Sequence, residues 1–330
     1  MARPPRCILP GHLYEVTVKT FQARYFFIPS KRLNELVIGV LAYAQRKYDL
    51  KICYVVFLSN HGHLLVRADS AQQVCDFFCL VKSQIAKEVQ RLCGWTGGIF
   101  EAHSDITLVT HEPGAQAARL RYLMSQGLKE GLVPHPSQWP GVQSARALMT
   151  GTMKLDGVWV RRSELYERQR THSRRRRAVQ HICHKKPNYK RFEERISLEL
   201  SPLPCWDDLD AKEVAKRARE LCQELLEEYA AVRATVAKGY RKRLADRSMF
   251  CFRPAATKKG NRPKVHAETM EEWVLYVKNW QNWLDGYQRA SQRLRLGIVE
   301  AISEFPEHAF VPTGILTPAY AGVPPPTAVG

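Results

Sequence analysis

Two long helix patterns enclose a β-rich run in the first hundred residues of the chain. Residues 31–47 carry apolar side chains at three- and four-residue intervals, and residues 71–93 predict a second, longer helix. Ser30 and Ser70 directly precede the two segments and are candidate N-caps. Residues 52–58, between the helices, are mostly β-branched, aromatic or otherwise apolar, and we expect them to form a strand.

Three further segments, residues 13–20, 63–66 and the region 100–109, also predict strands. The resulting order of strand, helix, strand, strand, helix, strand is that of the ferredoxin-like motif. We therefore predict an α+β fold in which helices cover one face of an antiparallel sheet. A mostly helical C-terminal extension is expected to follow this sheet.

Two histidines, His61 and His63, stand one residue apart where a strand is predicted. Side chains alternate across a strand, so both imidazoles point the same way, roughly 6.5–7 Å apart along the chain. Two imidazoles on one face of a sheet can hold a single cation. The pair alone leaves a second interpretation open, in which both are surface histidines on a half-exposed strand.

A third helix, predicted over residues 115–130, adds polar groups of a different kind. Tyr122 and Gln126 are four residues apart and would share one helix face. A tyrosine hydroxyl is a possible nucleophile, and an amide oxygen one turn away is a possible third metal ligand. Arg119 and Arg121 flank the tyrosine and can bind phosphate oxygens. The alternative is a tyrosine at the edge of the core and a solvated glutamine.

Several motifs occur in a fixed order: SNHGHLLV, an arginine-flanked Tyr122 with Gln126 after it, then GLV and HPSQWPG. Together they resemble the single-tyrosine HUH transposases, and within these the REP-associated tyrosine transposases. The resemblance extends over about residues 13–147. It implies that His61, His63 and Gln126 hold Mg²⁺ or Mn²⁺, and that Tyr122 attacks a phosphodiester of single-stranded or hairpin DNA.

Gly62 departs from the family pattern, which usually has a large apolar residue between the two histidines. A glycine pointing into the core would leave a gap and loosen the strand, at a cost of about 0.5–1 kcal/mol from backbone effects. On this basis we expect the metal ligands to be retained and the site to be less well ordered.

The chain changes character after the segment that carries the motifs. We predict a transposase-like domain over residues 1–150 and a basic, mostly helical region over residues 151–307. Residues 308–330 contain no Lys, Arg, Asp or Glu and several prolines, and are predicted to be an extended or disordered tail.

The formal net charge of +18 favours a polyanionic partner, with nucleic acid first and an anionic membrane second. Basic clusters that we predict to bind DNA phosphates are Arg174, Arg175, Arg176 and Arg177, together with Lys258 and Lys259. The alternative for both clusters is a solvated helix or linker. No apolar stretch approaches 18 residues, so no membrane span is expected.

The nine cysteines are scattered and include no CxxC pair, which favours reduced thiols in a cytoplasmic protein. The family resemblance implies a prokaryotic, nucleoid-associated protein. It also implies a homodimer, because related small transposases complete their active site across two subunits. The extra C-terminal half could instead replace the second subunit.

Three functions remain open from the sequence. The first is a transposase that nicks and rejoins single-stranded DNA through a 5′-phosphotyrosine intermediate with a divalent metal. The second is a catalytically degenerate DNA- or RNA-binding protein, for which Gly62 is the sequence support. The third is a metal-dependent phosphodiester hydrolase that uses water, with Tyr122 in a structural role.

Overall fold

The structure is a computed structural model that describes residues 5–168, 189–236 and 265–311. A five-stranded sheet consists of β1 (His12–Lys19), β2 (Lys51–Leu58), β3 (His61–Ala68), β4 (Asp105–Val109) and β7 (Val265–His266). A separate two-stranded sheet consists of β5 (Lys154–Val160) and β6 (Glu193–Glu199). The structure is therefore α+β, as predicted.

The described helices are α1 (Lys31–Tyr48), α2 (Ala71–Cys93), α3 (Pro113–Met124), α4 (Ala145–Thr150), α5 (within residues 162–168), α6 (Ala211–Glu228), α7 (Ala230–Ala234) and α8 (Met270–Arg295). Short 3₁₀ turns occur at Phe21–Ala23, Pro136–Gln138, Tyr189–Phe192, Pro204–Trp206 and Val299–Glu304. Apart from β5, β6 and β7, the described C-terminal region is mainly helical. None of the helices described here is long and apolar enough to cross a membrane.

The strand order of the larger sheet is β2-β3-β1-β4-β7. Its first four strands are antiparallel to their neighbours and have the ferredoxin-like arrangement that the sequence predicted. β7 pairs in parallel with β4, which makes the sheet mixed. This strand is only two residues long, too short to produce a periodic pattern in the sequence.

Helices α1, α2 and α3 pack around the larger sheet. α1 and α2, which each connect two parallel strands, pack against each other on one face. Ser30 and Ser70 cap them as predicted, each accepting a hydrogen bond from a backbone N–H in the first turn. α3 is linked to the sheet by Arg119, which contacts Glu15 of β1.

Two of the predicted elements are shorter than expected. β4 covers only Asp105–Val109, because Phe100 forms an isolated bridge with Thr20 instead of continuing the ladder. α3 ends at Met124 and is followed by turns. The chain turns at Gly127, where φ is +84° and the backbone N–H donates to the Glu130 carboxylate.

The outer edge of β2 is covered by the HPSQWPG motif and the residues that follow it. The Phe57 N–H donates to the Val142 carbonyl, and the Val55 N–H donates to Ser144 Oγ at 2.9 Å. Trp139 donates its indole N–H to the Phe57 carbonyl at 2.8 Å. These bonds satisfy backbone groups that an open sheet edge would leave unpaired.

The smaller sheet packs on α1 through a contact between glycines. A Cβ atom at Gly39 would lie 2.1 Å from the Val158 carbonyl oxygen, and one at Gly157 would lie 2.3 Å from the Gly39 nitrogen. Only glycine allows the helix and strand backbones to approach this closely. The domain boundary near residue 150 stays a prediction. The six basic residues of the two predicted phosphate-binding clusters lie outside the described residues.

Ser144 provides a direct test of the covered sheet edge. Its side chain is buried, and its hydroxyl is the acceptor for the Val55 N–H. Ser144→Ala would leave that buried donor unpaired, and we expect the free energy of unfolding to fall by about 1–3 kcal/mol in urea titrations. Ser197→Ala, which removes an exposed hydroxyl, is the control and is expected to change it by less than about 0.5 kcal/mol. Equal effects of the two substitutions would contradict this account of the edge.

Candidate active site

The two histidines of the HGH motif meet on one face of β3. The ring centroids of His61 and His63 are 5.0 Å apart, and the ring planes are nearly perpendicular. His63 is buried and His61 half-buried. The Nδ1 atom of His61 lies 2.7 Å from the Asn60 side-chain oxygen. His63 is therefore not a surface histidine, whereas the half-buried His61 still fits the alternative of a surface histidine on a half-exposed strand.

A buried carboxylate lies beside this pair. Glu15 projects from β1, is 4% exposed, and contacts His63 Nδ1 through Oε1 at 2.8 Å. Its Oε2 atom lies 3.1 Å from His266 Nε2 on β7 and also contacts the Arg119 guanidinium on α3. Four elements of the fold thus converge on one carboxylate.

Glu15 is ionised at neutral pH despite its burial. Burial alone would raise the pKa of this carboxyl, but hydrogen bonds from His266, His63 and Arg119 hold it well below its usual range. Protonating Glu15 would therefore require strongly acidic conditions. An ionised carboxylate can only accept hydrogen bonds, so both histidines must donate to it.

The contact with Glu15 determines which nitrogen of His63 can bind a cation. His63 Nδ1 faces Glu15 Oε1, with Thr17 Oγ1 at 3.1 Å, and carries the donated proton. In the neutral ring, Nε2 then has the lone pair that a metal ion requires. A carboxylate that orients a histidine in this way is a common arrangement around metal ions in proteins.

Tyr122 lies close to the histidine pair near the C-terminal end of α3. Its ring centroid is 6.5 Å from that of His63, and its side chain is 40% exposed. The Arg119 guanidinium and the Lys129 ammonium each lie 4.0 Å from the tyrosine ring centroid. The phenol is accessible from solvent, and both cations beside it also have carboxylate partners: Arg119 contacts Glu15, and Lys129 lies 3.6 Å from Glu130.

Gln126 is close to Tyr122, but it lies outside the helix that we predicted to carry both residues. α3 ends at Met124, and Gln126 is in the turn that follows. Its side chain is buried, and its amide nitrogen donates to the Tyr122 carbonyl at 3.3 Å. The helix prediction for residues 115–130 was too long because it did not account for the turn at Gly127.

The two arginines that flank Tyr122 in the sequence both pair with carboxylates. Arg119 contacts Glu15, whereas Arg121 pairs with Glu224 at 3.4 Å and also contacts Glu228, both on α6. In this structure they link α3 to β1 and to α6. Their predicted contacts with DNA phosphate would have to share or replace these ion pairs.

Gly62, between the two histidines, does not leave a gap. A Cβ atom at this position would lie 2.7 Å from the ring of Phe57, the residue opposite it on β2. Phe57 is buried and makes an edge-on contact with Phe27. The neighbouring strand thus fills the space beside Gly62, and the expected gap is absent.

Three residues of this site were not singled out from the sequence: Glu15, Lys129 and His266. Glu15 could have been noticed as an acidic residue in the middle of an alternating strand pattern, at a position that faces the core. Lys129 follows Tyr122 by seven residues and has no distinctive spacing. His266 is 251 positions from Glu15, so only the tertiary structure reveals their contact.

The side chains described here are compatible with a divalent cation, but they do not form a complete cage. No group of three His, Cys, Asp or Glu side chains suited to a metal occurs among the described residues. A cation held by the two imidazoles would have its other positions open to further ligands, water or substrate.

No family model matches the sequence, and no curated protein matches it. Among solved structures, one similar protein is a REP-associated tyrosine transposase bound to a REP hairpin, with 16% identity and a TM-score of 0.39. The match covers 46% of this chain and 86% of that one. Another is a "putative transposase from deinococcus radiodurans r1", with 15% identity, a TM-score of 0.27, and coverage of 38% and 98%. Both similarities are distant and partial.

The contact between Gly62 and Phe57 can be tested with a double-mutant cycle. Gly62→Val should lower the free energy of unfolding by about 1–3 kcal/mol, because the new side chain collides with the Phe57 ring. Phe57→Ala removes the ring and makes room, so the double variant should lose less stability than the sum of the single losses. Urea unfolding measures all three variants.

Gly98→Val is the control for this cycle, because no heavy atom lies within 4 Å of a Cβ built at Gly98. We expect this substitution to leave the free energy of unfolding nearly unchanged. Full additivity of Gly62→Val and Phe57→Ala would show that the ring does not fill the space beside the motif.

Proposed function

We propose that this protein is a metal-dependent single-tyrosine transposase that nicks and rejoins single-stranded DNA. The main observation in support is the oriented histidine: Glu15 fixes the proton on His63 Nδ1, and the accessible Tyr122 lies next to the same ring. In this proposal, Nε2 of His63 has the lone pair that binds the metal ion, and the Tyr122 hydroxyl is the nucleophile. The motif resemblance supports the same assignment.

The proposed ligands of the cation are His61, His63 and Gln126. When bound, Mg²⁺ or Mn²⁺ would polarise the scissile phosphate and offset the negative charge that develops during attack. Imidazole ligands favour Mn²⁺ over Mg²⁺. The Gln126 amide nitrogen donates to the Tyr122 carbonyl, so its oxygen is the atom proposed as a ligand.

In the proposed reaction the Tyr122 hydroxyl oxygen forms a bond to phosphorus, and the bond between phosphorus and the 3′ oxygen breaks. The phenol loses its proton to solvent, and the departing 3′ oxygen takes one up. The products are a 5′-phosphotyrosine and a free 3′-OH. Attack by a 3′-OH on the phosphotyrosine reverses the exchange and rejoins a strand, so no nucleoside triphosphate is consumed.

The proposed substrate is single-stranded or hairpin DNA, as the family resemblance implies, and the net charge of +18 is consistent with it. Lys129 is our candidate for contact with the scissile phosphate, because its ammonium lies beside the Tyr122 ring. Arg119 is proposed to act mainly through Glu15. The predicted clusters Arg174–Arg177 and Lys258–Lys259 remain candidates for contacts with the rest of the strand.

The two alternative functions have less support. A catalytically degenerate binding protein was suggested by Gly62 alone, and the Phe57 ring compensates for the missing side chain there. A hydrolase that uses water would leave Tyr122 in a structural role. Tyr122 is instead 40% exposed, which is more than we expect of a residue needed only for packing.

The covalent intermediate is the most specific test of this proposal. With Mn²⁺ and a 3′-labelled single-stranded substrate, the wild-type protein should give a labelled adduct on a denaturing gel, and peptide mapping should place it on Tyr122. Tyr122→Phe removes only the hydroxyl and should abolish the adduct while DNA binding persists. His61→Ala and His63→Ala should also abolish it.

Tyr166→Phe is the matched control, since Tyr166 is similarly exposed (46%) and lies outside the site. It should form the adduct at the wild-type rate. Cleavage without any adduct would favour the hydrolase, and binding without cleavage would favour the degenerate protein. Either result, or an adduct on another residue, would contradict the proposal.

A further inference from the structure

The C-terminal region places a histidine against the buried carboxylate of the candidate site. His266 lies on β7, whose pairing with β4 is extended by a bond from the Thr110 N–H to the His266 carbonyl at 2.9 Å. This backbone pairing places His266 two strands from β1, on the far side of β4. The imidazole reaches Glu15 Oε2 at 3.1 Å, across 251 positions of the sequence.

Glu15 has a different partner on each oxygen. Oε1 accepts from His63, and Oε2 accepts from His266 and Arg119. A buried carboxylate that loses a donor tends to rotate towards its remaining donors or to admit water. Removing the His266 side chain would therefore change the position or the hydrogen bonding of Oε1, the atom that orients His63.

The same C-terminal segment also contacts the helix that carries Tyr122. Glu112, at the N-cap position of α3, accepts hydrogen bonds from the Glu268 N–H at 2.8 Å and from Thr269 Oγ1 at 3.2 Å. A Cβ at Gly114 would lie 2.1 Å from the Glu268 carboxylate, so this glycine lets the segment close over the first turn of α3. The segment 265–269 is thus connected to both the histidine and the tyrosine sides of the site.

We propose that His266 is a positioning residue of this site, which acts through Glu15 to hold His63 in the orientation and tautomer that bind the cation. The C-terminal region of the chain thereby completes a site whose proposed ligands and nucleophile all lie before residue 130. This inference rests on the proposed function for the identity of the bound group, a divalent cation. It adds a role for a residue that lies outside the motifs.

The test uses the full-length chain and two readouts that do not depend on cleavage. Mn²⁺ affinity is measured by titration calorimetry, and the His63 tautomer is measured by long-range ¹H–¹⁵N NMR on protein labelled in histidine. We expect His266→Ala to weaken Mn²⁺ binding by about tenfold, the lower end of the range for outer-shell partners. It should also reduce the population of the Nδ1–H tautomer of His63.

His266→Gln supplies an amide N–H that can reach Glu15 and should restore most of the affinity and the tautomer. A purely structural role for His266 would not produce this rescue. His111→Ala is the control, because His111 is an exposed histidine outside the Glu15 contacts and should leave both readouts unchanged. If His266→Ala does not fold, His266→Leu fills the space without a donor and is expected to show the same loss.

The outcomes separate this inference from the proposed function. If the wild-type protein binds Mn²⁺ in a manner that His61→Ala abolishes, and the His266 variants bind it equally well with an unchanged His63 tautomer, only the role of His266 is overturned. If His61→Ala has no effect on Mn²⁺ binding, the proposed metal site fails and this inference fails with it. Weaker binding in His266→Ala together with rescue by His266→Gln supports both.

Discussion

The ionised, buried carboxylate of Glu15 is the contact on which the arrangement of the candidate site depends. It joins β1 to His63 on β3, to Arg119 on α3 and to His266 on β7. Removing one partner of a buried charge costs about 3–5 kcal/mol, so these elements constrain one another's positions. The same carboxylate sets the proton on the histidine that we propose as a metal ligand. Glu15 thus contributes both to the stability of the fold and to the proposed chemistry.

Much of the fold could be predicted because its patterns are local. The helix period gave α2 at its observed bounds and α1 to within one residue, and Ser30 and Ser70 cap the two helices as expected. Strand alternation correctly placed His61 and His63 on one face. β7 could not be predicted, since a two-residue strand has no period and its partner lies about 160 residues earlier.

The site was less predictable than the fold, because its contacts join residues distant in sequence. Gly62 raised the expectation of a gap, and only the pairing of β2 with β3 shows that Phe57 fills the space. Gln126 was assigned to a helix that ends two residues earlier, because the turn at Gly127 was not anticipated. The phosphate role predicted for Arg119 did not take into account its carboxylate partner on β1, Glu15.

We propose that Glu15 holds His63 in the orientation and tautomer that bind a divalent cation beside Tyr122. Anomalous diffraction from crystals of the full-length protein soaked in Mn²⁺ tests it most directly. We predict one manganese peak coordinated by His61, by Nε2 of His63 and by the Gln126 side-chain oxygen, with Nδ1 of His63 still bonded to Glu15. Manganese bound through Nδ1 of His63 or by the Glu15 carboxylate, or no peak at this pair of histidines, would contradict it.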